Sequence, residues 1–422
     1  MAEVEVKAIK GGRLIDGTGA EPIEKATVII EDSKIKAVGK DIEVPRGAKV
    51  IDATGKTVMP GLIDSHVHIF GGKTNDFHLE RIIRPAELAL IKAIYDARDL
   101  LAAGFTMAKD CGGKNAVFLK KAVAEGPLSG LPRIVAAGYF LSQTFGHGDT
   151  HYFPPEYVDA RTSRHSTADS LLCDGVDECI KATRYALRFG ADFIKVMTTG
   201  GVVSERDKPS DVQFNLDEVK AIVQTAAQVG KFVTTHCQNS RGSKISILGG
   251  IKTIEHANET SDEIIAMAEE HGTIFVSTLS PIRATIDHGV EVGMQPWILE
   301  KAKTQWELQL DSYKRIHKSG ATLASATDYS GTPLMPLGKN AIELELLVKY
   351  CDFTPMGAIV AATKNGAMAC FMGDKTGTIE SGKFADIIIV DGNPLADIKL
   401  LQDVKKIKMV MLEGKVEVNR GL

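Results

Sequence analysis

The feature that most constrains this chain is a repeated unit of helix, glycine, short apolar strand and reactive residue. Gly190 leads through Ala191, Asp192, Phe193 and Ile194 to Lys195, and Gly230 through Lys231, Phe232, Val233, Thr234 and Thr235 to His236. Gly250 leads in the same way to His256, and Gly320 opens a strand closing at Asp328. Ahead of them His66 and His68 follow the apolar run from Pro60. Strands alternating with helices imply parallel pairing. If such units close into a barrel, residues at the strand C-termini converge on one face, where that fold carries its active site. Side chains far apart in sequence then form one cluster.

Eight strand ends are expected, near His68, Asp110, Leu141, Lys195, His236, His256, Thr278 and Asp328. The helices between them carry their own punctuation. Asn215 with Glu218 three residues on predicts a capping-box start, and Val219, Ile222, Val223, Ala226 and Ala227 form the apolar face behind it. Ser261 opens another helix that stops near Gly272.

The two ends of the chain read differently. Short β-rich pieces separated by turn residues fill 5–59 and return after Ala385, in Lys406–Leu412 and in Lys415–Val418. Neither end is long enough to bury a good core alone. The expectation is therefore a distorted (β/α)8 TIM barrel over 60–370, flanked by a small β-sandwich built from both termini, 1–59 plus 371–422. Two independent β appendages are the alternative. Two insertions, 142–170 and 279–306, interrupt the repeat on the expected active face and are candidate lids and substrate walls.

At 422 residues, with 44% hydrophobic and 25% charged, the chain has ample material for such a core. A net charge of -4 and a pI near 6.3 offer no electrostatic case for nucleic acid or an anionic membrane as partner. Six scattered cysteines without a CxxC pair fit reduced thiols. The start lacks an apolar signal region and no apolar run is long enough to span a bilayer, so a cytoplasmic location is expected. The expected partner is a small-molecule amide. Exposed sheet edges leave homo-oligomer formation open.

Residues two apart on a strand point to the same side, so His66 and His68 can reach one metal ion. Lys195 sits in an apolar strand, where a free ammonium is costly to bury. It either pairs with a carboxylate or, as a neutral amine, captures carbon dioxide as a carbamate able to bridge two divalent ions. Two ions bring +4; carbamate, Asp328 and a hydroxide reduce that to about +1. His236 and His256 supply neutral nitrogen. Asp328 can touch a metal and handle a proton, or simply cap the next helix.

Taken together, Val58–His68, Phe193–Gly201, Thr235-His236, Ile254-Glu255-His256, Ala326-Thr327-Asp328 and Gly377–Val390 resemble the amidohydrolase superfamily. Within it, the branch they resemble is related to imidazolonepropionase and to metal-dependent Xaa-Pro and Xaa-Arg dipeptidases. The resemblance covers nearly the whole chain. It implies a binuclear centre, usually zinc, with His66, His68, Lys195 and Asp328 on one ion and Lys195, His236 and His256 on the other. A metal-bridging hydroxide then attacks an amide carbonyl, with Asp328 as general base and then acid. His147, in the stretch Gly146–His151, falls where the dipeptidase branch places an oxyanion-stabilising histidine. Manganese, iron or cobalt suit the same ligands.

Substrate is less determined. In the peptidase relatives the residue two after the fifth-strand histidine helps bind the substrate carboxylate and is often tyrosine or histidine; here it is Gln238. Arg241 could supply the missing cation or be a solvated helix-start residue, and Arg206 and Arg283 are further candidates. Three readings follow. The first is an enzyme cleaving dipeptides or N-acyl amino acids. The second is a hydrolase of another amide, such as a cyclic amide, carbamate, urea or xenobiotic anilide. The third is a non-catalytic scaffold, whose signature would be lost ligands, and none is lost.

Overall fold

A computed structural model describes residues 5–151, 153–163 and 168–422, without the side chains of 77, 78 and 81. Residues 1–4 of the terminal domain, and 152 and 164–167 of the first insertion, lie outside the described residues.

The middle of the chain forms a barrel of parallel strands. Leu62–Val67, Phe105–Asp110 and Arg133–Ala136 pair side by side. Phe140–Ser142, Ile194–Met197, Val233–Cys237, Thr253–His256, Ile274–Val276 and Leu323–Ala324 follow in the same sense. The third strand is broken between these two runs. Gly138 has φ +68° there, and the bonds Ala137 N–H to Asp110 O (2.9 Å) and Asp192 N–H to Ala136 O (2.8 Å) hold the two sides. The ring closes through Asp328 N–H to His66 O (2.7 Å) and His68 N–H to Tyr329 O (2.8 Å). This is the distorted (β/α)8 barrel that the repeating unit predicts.

The helix punctuation acts as read. Asn215 and Glu218 make a complete capping box, and Ser261 caps Asp262–His271. Gly190, Gly250, Gly272 and Gly320 each end a helix in the left-handed conformation, where a side chain would be strained. Behind the strands, Ile194, Val196, Val219, Ile222 and Val233 are fully buried together. Each such side chain contributes about 1.5–3 kcal/mol relative to exposure.

Both termini enter one eight-stranded sheet. Ile387–Val390 from the C-terminal part lies antiparallel to Thr57–Pro60 from the N-terminal part. Val6–Leu14 pairs with Lys49–Asp52 through its first half and Thr57–Pro60 through its second, and against Ile23–Glu31 on its other edge its register shifts around Gly11 and Gly12. Ile9, Val28, Ile35, Ile387, Ile389 and Met411 share a single core, so the ends are not separate appendages.

Three features differ from expectation. The eighth strand is only Leu323–Ala324, and a short strand, Ser170–Leu172, adds parallel to Phe140–Ser142. The stretch 279–306 is not an irregular insertion. Leu279–His288 and the start of Pro296–Ser319 make most of it helical, with Pro296 at a first-turn position that leaves no helix hydrogen bond broken.

Candidate active site

At the C-terminal ends of the barrel strands four imidazoles crowd together. Ring centroids lie 5.3 Å apart for His66 and His68, 5.0 Å for His66 and His256, and 4.4 Å for His236 and His256. Asp328 Oδ1 stands 3.4 Å from His66 Nε2 and 3.1 Å from His68 Nε2. Lys195 is buried, and its Nζ has no hydrogen-bond partner among the described residues. His256 and Asp328 take φ values of +73° and +54°, in the left-handed region that non-glycine residues rarely enter. Such strain is kept where the surrounding structure enforces it, commonly at working sites.

The outward nitrogens fix the tautomers. His66 Nδ1–H donates to Glu255 Oε2 (3.0 Å), His68 Nδ1–H to Gly112 O (2.8 Å) and His236 Nε2–H to Gly200 O (3.1 Å). A carboxylate and two carbonyls can only accept, so in its neutral form each ring keeps the lone pair on its other nitrogen. His256 Nδ1 pairs with Thr278 Oγ1 at 2.8 Å. Burial, reinforced by the charge of Lys195, takes His66 down to about 4. Burial likewise holds His236 and His256 well below the ordinary imidazole value. For Asp328 burial alone would raise the carboxyl, but the surrounding histidines overrule it and hold it low. At His68 burial would lower the imidazole, but the neighbouring Asp328 overrules it and raises it, so a bound cation would have to displace that proton. Three neutral imidazoles, His68, an ionised carboxylate and an orphaned buried amine make a donor set that fits divalent ions. The residues that would hold them are His66, His68, Lys195, His236, His256 and Asp328. Cys111 lies near His66 and Glu255, but burial pushes its thiol well up and leaves it inert.

Beneath the cluster lies a polar chain that sequence reading missed. Lys109, fully buried, donates to Glu255 Oε1 at 2.8 Å. Thr253 Oγ1 (2.7 Å) and Thr234 add to the same oxygen. Burial would raise Glu255, yet Lys109 and His66 hold it well below the carboxylate range. Asp64 accepts from Thr327 Oγ1 and Asn340 Nδ2, both at 2.7 Å, and so ties the eighth strand to the first beside Asp328. Lys109 was legible by the argument that singles out Lys195, a lysine inside an apolar strand.

His147 stacks on His236 with centroids 4.1 Å apart. Its Nδ1 meets Ser204 Oγ at 2.7 Å, with Asp207 Oδ2 at 3.9 Å, and among the described residues its Nε2 has no hydrogen-bond partner. Lys301 Nζ holds the intervening loop through the carbonyls of Gly201 (3.1 Å), Ser204 (2.6 Å) and Asp207 (2.6 Å). Nothing in the sequence marks Lys301, which is brought in by a helix almost 100 residues away.

Above the cluster opens a cavity of about 680 Å³. Phe140, Phe153, Met197, Ile282, Trp297 and Met335 contribute to its apolar wall, so parts of both 142–170 and 279–306 border it. Gln238 lines it, with its Oε1 unpartnered. The three arginines named as substrate ligands do not. Arg241 Nη2 donates to Ser210 O at 2.7 Å on the outer side, Arg283 is claimed by Asp287 one turn along its helix, and Arg206 lies exposed beside Glu205. Among the described residues lining the cavity there is no arginine.

Residues 57–416 match the Amidohydrolase family. The chain belongs to the amidohydrolase family. It is a hydrolase of carbon–nitrogen bonds, acting on amides. It is 33% identical to ochratoxinase of Aspergillus niger, over 100% of this chain and 88% of that one, and the A. niger ochratoxinase crystal structure superposes with a TM-score of 0.90. A prolidase crystallised with N-methylphosphonate-L-proline is 29% identical, with a TM-score of 0.89 over 99% of this chain and 100% of that one. A Xaa-Pro dipeptidase with methionine in its active site is 30% identical, with a TM-score of 0.86 over 98% and 99%. Amidohydrolases of this kind generally bind divalent metals, and the donor set above is this chain's candidate site. Among the described residues no helix is long and apolar enough to cross a membrane.

Proposed function

We propose that this amidohydrolase cleaves the amide bond of dipeptides or N-acyl amino acids bearing apolar side chains. The observation that carries the reading is the apolar wall of the cavity directly above the imidazole cluster, with His147 at its side. The similarity to a prolidase holding a phosphonate amide of proline supports it, because a tetrahedral phosphorus on the amide nitrogen imitates the geometry of an attacked carbonyl. Two divalent ions, zinc in this proposal with Lys195 carboxylated, would supply activated water and polarise the substrate carbonyl. Asp328 takes the proton of the attacking water and delivers it to the leaving nitrogen. His147 donates from Nε2 to the developing oxyanion, its ring fixed by Ser204 and by stacking on His236. Gln238 offers the amide group of its side chain to the polar end of the substrate.

A second reading, hydrolysis of another amide, is favoured by one observation: no arginine lines the described cavity to meet a carboxylate. Ochratoxinase, an amide hydrolase of similar sequence, supports that reading as well. The test is a hydrolysis screen of protein reconstituted with zinc and bicarbonate. It would cover dipeptides and N-acetyl amino acids varied at the C-terminal residue, beside the matching amides without a carboxylate, with Asp328→Asn as control. Turnover of apolar C-terminal residues, lost in the control, is expected. Equal turnover of the carboxylate-free amides would replace the first reading with the second.

A further inference from the structure

The helix Ala86–Ala102 buries one face against the barrel through Ala89, Ala93, Ala97, Leu100 and Leu101. Its opposite face is apolar as well. Leu88, Ile91 and Tyr95 are 53%, 52% and 61% exposed. The short helix Phe77–Ile83, joined to it by Arg84 and Pro85, adds Leu79, Ile82 and Ile83, each about half-exposed or more. At roughly 200 Å² for a large side chain, six half-exposed ones present on the order of 600 Å² of apolar surface. A folded monomer seldom leaves more than a few hundred Å² bare in one patch, and a stable interface needs about 800 Å² per partner.

The charges at the two ends of this stripe indicate what covers it. At 100° per residue, Glu87, Ile91, Tyr95 and Arg98 fall within about 80° of arc. Of the nearby charges, Arg84 pairs with Glu80 at 2.9 Å and Lys92 with Asp96 at 2.6 Å, while Asp99 is exposed about 100° round the helix from Arg98. Glu87 and Arg98 are exposed and form no ion pair among the described residues. An acid at one end and a base at the other are self-complementary when two such helices cross antiparallel about a twofold axis. Ile91 then lies near the axis, Leu88 faces Tyr95 of the partner subunit, and Glu87 faces Arg98 of the partner subunit.

We infer that a second copy of this chain docks on the Leu88–Ile91–Tyr95 stripe as an antiparallel, twofold-symmetric helix pair, held in register by reciprocal Glu87–Arg98 contacts. The site is affected too. Leu79 and Ile82 border the active-site cavity, so the partner covers part of its rim. The partner is this chain rather than a foreign protein because the pattern complements itself without any other sequence.

The test is sedimentation equilibrium of the full-length, metal-loaded protein at micromolar concentration, with circular dichroism melting to check the fold. The wild type is expected to contain a dimer as its basic unit. Ile91→Glu, in an exposed position, is expected to abolish that contact while the melting curve stays in place. Glu87→Arg and Arg98→Glu, each turning attraction into repulsion twice per dimer, are expected to weaken association about tenfold. The double swap Glu87→Arg/Arg98→Glu is expected to restore it. A monomeric wild type, an assembly indifferent to Ile91→Glu, or single swaps without rescue in the double variant would each overturn the inference.

Discussion

The buried pair Lys109–Glu255 provides a sharp test of how the imidazole cluster is supported. Lys109→Met keeps the stem of the side chain and removes the ammonium, leaving a carboxylate in the barrel interior with only His66, Thr234 and Thr253 as donors. Removing one partner of a buried pair costs about 3–5 kcal/mol, because the remaining charge is uncompensated. With unfolding entropy near 2.1 cal/mol/K per residue, a 422-residue chain gives about 0.9 kcal/mol per degree, so Tm should fall by about 3–6 °C. Glu255→Gln strands the ammonium against Thr253 Oγ1 and Ala369 O and should cost a similar amount. The double variant buries no net charge, so its loss should be smaller than the two single losses combined by at least about 2 kcal/mol. Scanning calorimetry of metal-stripped protein gives the three values. Zinc affinity, read by chelator competition, should fall about 10- to 100-fold in Glu255→Ala, where His66 loses the acceptor that sets its tautomer. Single losses under about 1 kcal/mol that simply add would show that the pair does not act as a coupled unit, and an unchanged zinc affinity in Glu255→Ala would show that Glu255 does not orient His66.

Other consequences are open to measurement. A Cβ on Gly201 would overlap the imidazole of His147, so Gly201→Ala should lower kcat about 100-fold with little change in Tm. Lys195→Met should reduce the metal bound per chain, read by plasma emission on dialysed protein, since the orphaned amine lies close enough to His66, His236 and His256 to act on each. Burial raises Glu343, which accepts from the Leu279 and Ser280 N–H groups, to about 7. A carboxyl raised above its unfolded value binds its proton more tightly in the native state. Its contribution is therefore complete below about pH 4.5 and lost as pH rises through 7. Relative to the wild type, Glu343→Gln should gain up to about 3 kcal/mol between pH 4.5 and 8, after its constant cost of one lost acceptor is subtracted. A flat difference across that range in urea melts would contradict it.

How far the sequence carried depended on the range of the interaction involved. Helix ends and strand ends were legible because Asn215, Ser261, Gly190 and Gly320 act on their own neighbours. The cluster was legible because strand-end position and residue type coincide at His236, His256 and Lys195. The interior ion pair was only half visible: Lys109 is odd in its strand, but its partner Glu255 lies 146 residues away and passes as part of a histidine motif. The arginines misled for the opposite reason. Loop membership places a residue near the active face without fixing its direction, and Arg241 and Arg283 find nearer acceptors in Ser210 and Asp287.

The break in the third strand and the short eighth strand belong to the same economy. Each regular strand spends its terminal backbone groups on neighbours, whereas these two depart from the ladder where the site begins. Gly138 turns the chain so that Phe140 can wall the cavity, and the left-handed turn at Asp328 swings its carboxylate between His66 and His68. The compensation comes from within the barrel: Asp64 accepts the Thr327 N–H and hydroxyl and the Asn340 amide, replacing the ladder bonds that the eighth strand gives up. Positioning the strained Asp328 therefore relies on a buried acid two residues before His66, and removal of that acid should disturb Asp328 before it disturbs the barrel.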